Sequence, residues 1–463
     1  MRCWVVSSSV QGAGTANQWT DAIRENQCAY MGWGPEHEEK RKGYDYHHTV
    51  TRGSMILVAR RSSWDWNCVL AGIVDSDVYE AAAGKNSVPD SAWAYHLSPV
   101  ISSERLNELK IPMLLGKIEG TAKSQIPGAI FELTDEETKS KLQSEFERLK
   151  VEQQARGEID MYTSLLEKNR NIVLNGAPGT GKTYLAKKIA QKVIFGETWV
   201  LKDESDFSDA ERNQFSQQCK FVQFHPSYDY TDFVEGLRPT PPGANGNIGF
   251  KRIDGFFKSF CRDALNSCKY NEDGKFDVTN SSKFIFIIDE INRGEISKIF
   301  GELFFSVDPG YRGKKGLVQT QYTNLIENDD VFKKGFFVPE NIYIIGTMND
   351  IDRSVESLDF AMRRRFVFRE ITAADSATSM KLPESAKSRM TALNEAISRI
   401  DGLNSSYHIG AAYFLRDGSP TDDFVELWDL RLEPLLKEYL RGTPNAGDNL
   451  NNLKEAFELN PKK

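Results

Sequence analysis

At 463 residues the chain is too long for one ordinary core, and two or three domains are expected. Its 40% hydrophobic and 27% charged residues are normal for globular material, and a net charge of −8 argues against non-specific nucleic-acid binding by the whole chain. No apolar run reaches the ~18 residues of a membrane span, the serines at 7–9 come too early for a signal peptide, and six scattered cysteines without a C-x-x-C pair fit reduced thiols in a cytoplasmic protein.

The first segment is tryptophan-rich: Trp4, Trp19, Trp33, Trp64, Trp66 and Trp93 all precede residue 94. Short β-rich runs (Trp4-Val-Val-Ser, Met55-Ile-Leu-Val-Ala, Val69-Leu-Ala-Gly-Ile-Val) suggest a small mixed α+β, barrel-like domain over residues 1–133. Thr134-Asp-Glu-Glu137 is a capping-box signature that opens a polar, mostly exposed helical linker over 134–159. From 160 to 371 the texture is α/β. Apolar runs at Asn171-Ile-Val-Leu, Lys220-Phe-Val-Gln-Phe, Phe284-Ile-Phe-Ile-Ile and Asn341-Ile-Tyr-Ile-Ile alternate with helical stretches, which predicts a parallel sheet covered on both faces. Residues 372–463 become helical, notably Ser388 to Ile400 and Asp422 to Leu440, and predict a smaller helical subdomain.

Gly176-Ala177-Pro178-Gly179-Thr180-Gly181-Lys182-Thr183 matches G-x-x-x-x-G-K-[ST] in full. It follows an apolar strand and precedes a helix beginning near Tyr184, the context in which this motif cradles phosphates. Glycines let successive backbone N–H groups face one concavity, and the helix N-terminus adds positive potential. Lys182 is expected on the β- and γ-phosphates and Thr183 on Mg2+.

The strand ending in Asp289-Glu290 delivers two carboxylates to the edge where open α/β sheets bind ligands. Asp289 is expected in the Mg2+ shell and Glu290 on the attacking water. A further strand runs into Thr347-Met-Asn349-Asp-Ile-Asp352, where the neutral Asn349 amide can orient water beside the γ-phosphate; a turn is the alternative reading. Then comes Arg363-Arg364-Arg365. In a ring one such arginine reaches the neighbouring subunit's phosphate, a contribution of about 10³ to 10⁵ in rate in related phosphoryl transfers.

With these motifs in hand, residues 171 to 440 resemble the AAA+ motor subunit of McrBC-type modification-dependent restriction systems. The likeness rests on Gln223-Phe-His-Pro-Ser-Tyr, Asp289-Glu-Ile-Asn-Arg293, Met348-Asn-Asp-Ile-Asp-Arg-Ser354 and the helical-lid stretch His408-Ile-Gly-Ala-Ala-Tyr-Phe. The resemblance implies preference for GTP over ATP, hexameric rings and a separate McrC-like nuclease subunit. It also makes Asn349 and Asp352 the signature pair for hydrolysis, puts Arg364 and Arg365 in the trans-acting region, and has Arg293 following the acidic pair. No Asn-Lys-x-Asp guanine-reading motif is present, and no nuclease cluster.

Residues 1–133 resemble an EVE domain of the PUA/YTH-like modified-base readers through Trp4-Val-Val-Ser-Ser-Ser, Ala29-Tyr-Met-Gly-Trp-Gly34 and Gly53-Ser-Met-Ile-Leu-Val. Reading a modified base requires flipping it from the stack and re-stacking it on aromatic walls. Trp19, Trp33, Trp64 and Trp66 are candidates for those walls, with Ser8 or Ser9 on the base edge. This segment holds 13 Lys and Arg against 15 Asp and Glu, a net of −2, so phosphate contacts must be local; Arg60-Arg61 is the best candidate and Lys40-Arg-Lys42 another. The expected ligand is methylated or hydroxymethylated DNA. A MoxR-like ATP-driven protein remodeller and a nucleotide-gated binding scaffold are the competing functions.

Overall fold

A computed structural model describes residues 2–7, 16–31, 50–62, 65–77, 79–81, 92–111, 130–133, 135–241, 248–351 and 360–459. The chain divides into two compact units, Met1–Gln153 and Gln154–Lys463.

In the first unit the strands are β1 (Cys3–Ser7), β2 (Cys28–Met31), β3 (Met55–Ser62), β4 (Asp65–Val74), β5 (Tyr79–Ala81), β6 (Ala92–Ser102) and β7 (Ile130–Glu132). They form one mixed sheet in the order β2-β6-β4-β3-β1-β7, with β5 also on β6; β1 and β3 run parallel and the other pairs antiparallel. The two-residue period of a strand sends alternate side chains to opposite faces. Accordingly Trp4, Val6, Ile56 and Val58 pack in one core with Ala22 and Ile23 of the helix Ala16–Asn26. Cys3, Val5, Met55 and Leu57 pack in another with Leu142 and Phe146 of the helix Glu136–Asn169. Trp4 is therefore a core residue, 7% exposed. Trp19 falls in the helix and Trp66 in β4, opposite Arg61 in register, with their side chains outside the description. Ser8, Ser9, Trp33, Trp64 and Lys40 to Lys42 lie outside the described residues.

The second unit is built on β8 (Asn171–Gly176), β9 (Cys219–Gln223), β12 (Phe284–Asp289), β13 (Ile342–Asn349) and β14 (Val367–Glu370), with a two-stranded ribbon of β10 (Glu235–Pro239) and β11 (Phe250–Asp254) between β9 and β12 in the chain. The main sheet is wholly parallel, ordered β14-β8-β13-β12-β9. As its continuous apolar strands require, both faces are covered. Ile172, Leu174, Ile285, Ile287 and Ile345 meet Ala186, Ile189 and Val193 of the helix Lys182–Phe195. Phe284, Phe286, Ile288 and Ile344 meet an aromatic layer in which Phe233 and Phe257 stack at 4.8 Å.

The C-terminal residues form a helical subdomain with its own core, including Met390, Leu393, Ile397, Trp428 and Phe457. Two helices expected from the sequence are present as Glu384–Ser398 and as a rod from Phe424 to Tyr439. The rod widens to a π turn at Trp428–Leu432, just before Pro434, which has no N–H to close an ordinary turn. The final helix, Ala446–Phe457, lies within the stretch expected to be helical. Among the described residues no helix is long and apolar enough to cross a membrane.

Candidate functional site

The loop between β8 and the helix Lys182–Phe195 turns on glycines in left-handed conformations, Gly179 (φ 76°) and Gly181 (φ 81°), which other residues adopt only at a cost. The Lys182 side chain folds back into this loop. Its Nζ donates to the carbonyl oxygens of Gly176 at 3.1 Å and Ala177 at 2.7 Å, and it is 7% exposed. Burial lowers its pKa to about 8, although the nearby Glu290, Asp350 and Asp289 carboxylates oppose that shift.

Asp289 ends β12 beside this loop. Its Oδ1 accepts hydrogen bonds from the Thr183 hydroxyl and the Thr347 hydroxyl, each at 2.7 Å. A carboxylate with a hydroxyl beside it is a hard-oxygen donor set, so Thr183 and Asp289 fit Mg2+. Glu290 follows in the left-handed region (φ 51°, ψ 48°), an uncommon state for a side-chain-bearing residue that costs about 1–2 kcal/mol. The turn is pinned by a 3.2 Å bond from the Glu290 N–H to the Thr347 hydroxyl. It directs the carboxylate toward β13, where the Asn349 side-chain amide donates to Glu290 Oε1 at 2.6 Å. Such strain at a site is a known companion of function. The Asn292 amide in turn donates to the Asn349 carbonyl at 3.3 Å, and Arg293 Nε lies 3.6 Å from Glu290 Oε2.

The phosphate-loop helix and the ends of β12 and β13 thus bring together residues far apart in sequence: Thr183, Asp289, Glu290, Arg293, Thr347 and Asn349 share one cluster. Asp352 lies outside the described residues. Tyr184 is half exposed, with the Lys188 ammonium 5.0 Å from its ring centre, on the helix that leaves the loop. The two arginines differ sharply. The Arg364 side chain is 73% exposed, 3.7 Å from Asp308. The Arg365 side chain is 12% exposed, 3.9 Å from Asp308 and over the Phe304 ring at 5.5 Å. Arg364 is thus largely in solvent, whereas Arg365 packs against the Phe304 ring.

Three participants escaped the sequence reading. Asp350 is held by both oxygens on the Asn175 amide (3.2 and 3.1 Å), and burial raises its pKa. The Thr347 hydroxyl donates to Asp289 Oδ1 and accepts from the Glu290 backbone N–H, as described. The third is the docking of the lid stretch His408 to Phe414 on the phosphate loop, made by backbone: Gly410 N–H donates to the Pro178 carbonyl at 3.0 Å and Ala412 N–H to the Gly179 carbonyl at 2.9 Å. The Tyr413 ring lies so close that a Cβ on Gly179 would meet it at 2.7 Å. Side-chain chemistry could have flagged Asp350 and Thr347, but the Gly410 contact is made by main chain and has no residue signature.

Comparison with known proteins agrees with this geometry. Residues 171–366 match the AAA domain of the dynein-related subfamily, and residues 385–447 match the McrB alpha-helical lid domain. The chain is 35% identical over 303 residues to the type IV methyl-directed restriction enzyme EcoKMcrB subunit of Escherichia coli K12, covering 62% of this chain and 57% of that protein. It is 28% identical over 232 residues to the type II restriction enzyme BsuMI component YdiS of Bacillus subtilis 168, covering 46% of this chain and 60% of that one. The matches therefore span less than two thirds of either relative. Among solved structures, C. elegans PCH-2 aligns over 66% of this chain and 68% of its own at 14% identity, with a TM-score of only 0.23.

Proposed function

We propose that this chain, which belongs to the McrB-like AAA+ NTPases, is the specificity-and-motor subunit of a modification-dependent restriction system, hydrolysing GTP in preference to ATP. The observation that carries the motor reading is the pairing of Glu290 with Asn349 beside the Thr183–Asp289 bond, all at the lip of the phosphate loop.

In this reading the loop N–H groups from Gly179 to Thr183 hold the phosphates, and Lys182 moves its ammonium from the loop carbonyls to the β- and γ-phosphates. Thr183 and Asp289 hold Mg2+, which when bound neutralises charge on the phosphate oxygens. Glu290 accepts a proton from the attacking water, while the Asn349 amide fixes the carboxylate and orients that water without adding negative charge. Arg293 and Asp352 support this cluster, and Arg364 is the arginine offered to a neighbouring subunit in a hexameric ring. Tyr184 flanks the nucleotide on the helix that leaves the loop.

The first unit, EVE-like in sequence, is the proposed reader of methylated or hydroxymethylated DNA through Trp19, Trp33, Trp64, Trp66, Ser8 and Ser9. An McrC-like nuclease subunit supplies cleavage, and the setting is cytoplasmic. The test is turnover of GTP and ATP with and without modified DNA and the cognate nuclease subunit. Stimulation by modified DNA but not by its unmodified counterpart supports the reading. Turnover indifferent to both DNA and nuclease would remove the restriction role and leave a bare NTPase.

A further inference from the structure

The strand order also indicates where the nucleoside end of a bound nucleotide lies. Asp289 and Asn349 stand at the ends of β12 and β13, on one side of β8; β14 is on the other. A triphosphate with its γ end toward Asp289 and Asn349 therefore leads its nucleoside away from β13, past Gly181, to the β14 side. There the chain leaves β14 and enters the helix Ala373–Ser379, capped by Thr372. The residue after that helix, Met380, presses its Cε to within 2.4 Å of where a Cβ on Gly181 would stand. A thioether at this spot is a suitable surface for a flat purine.

Next to Met380, the Ser379 hydroxyl donates to Glu158 Oε2 at 2.8 Å. Glu158 belongs to the helix Glu136–Asn169 and is half-buried. Among the described residues no cation is near enough to influence it; the charge it feels is the like-signed Asp375, and burial raises its pKa while the Ser379 bond opposes the rise. A tie between helix and lid would be served as well by a neutral amide. Keeping a half-buried carboxylate here without a counter-charge is costly, and a partner with N–H donors to spare would offset that cost.

We propose that Glu158 is a specificity-determining residue that reads the guanine edge of the nucleotide, accepting from N1–H and the 2-amino group. Adenine turns an acceptor nitrogen toward the same carboxylate and is repelled. This inference rests on the assignment of the phosphate loop as the nucleotide site, and its experiment separates the two.

Equilibrium binding of GTP, xanthosine triphosphate and ATP to the full chain, with Mg2+, would be measured for wild type, E158Q and K182A. Xanthine keeps N1–H but replaces the 2-amino donor by an oxygen acceptor. Wild type should prefer GTP over both others by about tenfold or more, the scale of a paired hydrogen-bond contact to a base. E158Q presents a carbonyl to N1–H and an amide donor to the xanthine oxygen, so it should reverse the order and bind xanthosine triphosphate over GTP. A gain of that kind cannot arise from misfolding. An unchanged order in E158Q, or a folded E158Q that binds none of the three, overturns the role of Glu158 while loss of all binding in K182A leaves the phosphate loop secure. Normal binding in K182A would instead overturn the loop assignment, and this inference with it.

Discussion

Replacing Gly410 by alanine should uncouple the helical subdomain from the phosphate loop. At φ −81° and ψ 162° the backbone there suits alanine, so any effect is steric. A Cβ would stand 2.2 Å from the Gly179 carbonyl carbon and 2.4 Å from the Thr180 nitrogen, backbone atoms with no rotamer to escape into. The segment cannot easily retreat either. Asn394 grips Ile409 at both its N–H (2.7 Å) and its carbonyl (3.0 Å), and Ala411 N–H is bonded to the Ser376 hydroxyl at 3.0 Å. Relief then means giving up the two main-chain bonds to Pro178 and Gly179, roughly 0.5–1.5 kcal/mol each, or bearing an overpacking strain of about 1–3 kcal/mol. A loss of about 1–3 kcal/mol should lower Tm by about 2–10 °C. Displacement of loop amides should weaken nucleotide binding by about tenfold, since each 1.4 kcal/mol is tenfold in affinity. The assay is thermal unfolding and nucleotide titration against Gly447→Ala, where an added Cβ meets nothing within 4 Å. If Gly410→Ala matched that control in both, the coupling would not exist.

The Lys182 ammonium, with its pKa lowered to about 8 by burial, should gain a proton on meeting a triphosphate. Because the bound pKa lies above the free one, affinity is fully present below about pH 8 and falls above it, by up to tenfold per pH unit. Calorimetry at pH 9 in buffers of different ionisation heat should show proton uptake on binding, and none is expected in Lys182→Met. The two arginines should separate by phenotype. Arg365→Ala, losing packing on Phe304 and the Asp308 contact, should cost about 1–3 kcal/mol of stability. Arg364→Ala should leave the melting temperature unchanged but cut turnover in the assembled ring, checked by thermal shift beside NTPase assays.

What was legible in the sequence is what local physics encodes. Buried parallel strands announce themselves as unbroken apolar runs, and Phe284 to Asp289 and Ile342 to Asn349 were visible for that reason. The phosphate loop was visible because its glycines and lysine are demanded by a single tight turn. The adjacency of β14 to β8 was not visible, since Val367–Glu370 is short and its partner is decided by sheet order rather than by its own residues. Nor was the Asn175–Asp350 pair, which joins positions 175 apart. The contact of Gly410 with Pro178 depends on how a separate helical core seats one loop, information spread over Asn394, Ser376 and Ile409 rather than held at Gly410.

The most direct test is turnover by Glu290→Gln, which removes a proton-accepting oxygen while keeping the shape that Asn349 contacts. The variant should bind nucleotide as the wild type does and lose at least about 10²-fold in kcat, the scale of a lost general base. Wild-type turnover in Glu290→Gln, with nucleotide bound, would contradict the hydrolytic centre described at the ends of β12 and β13.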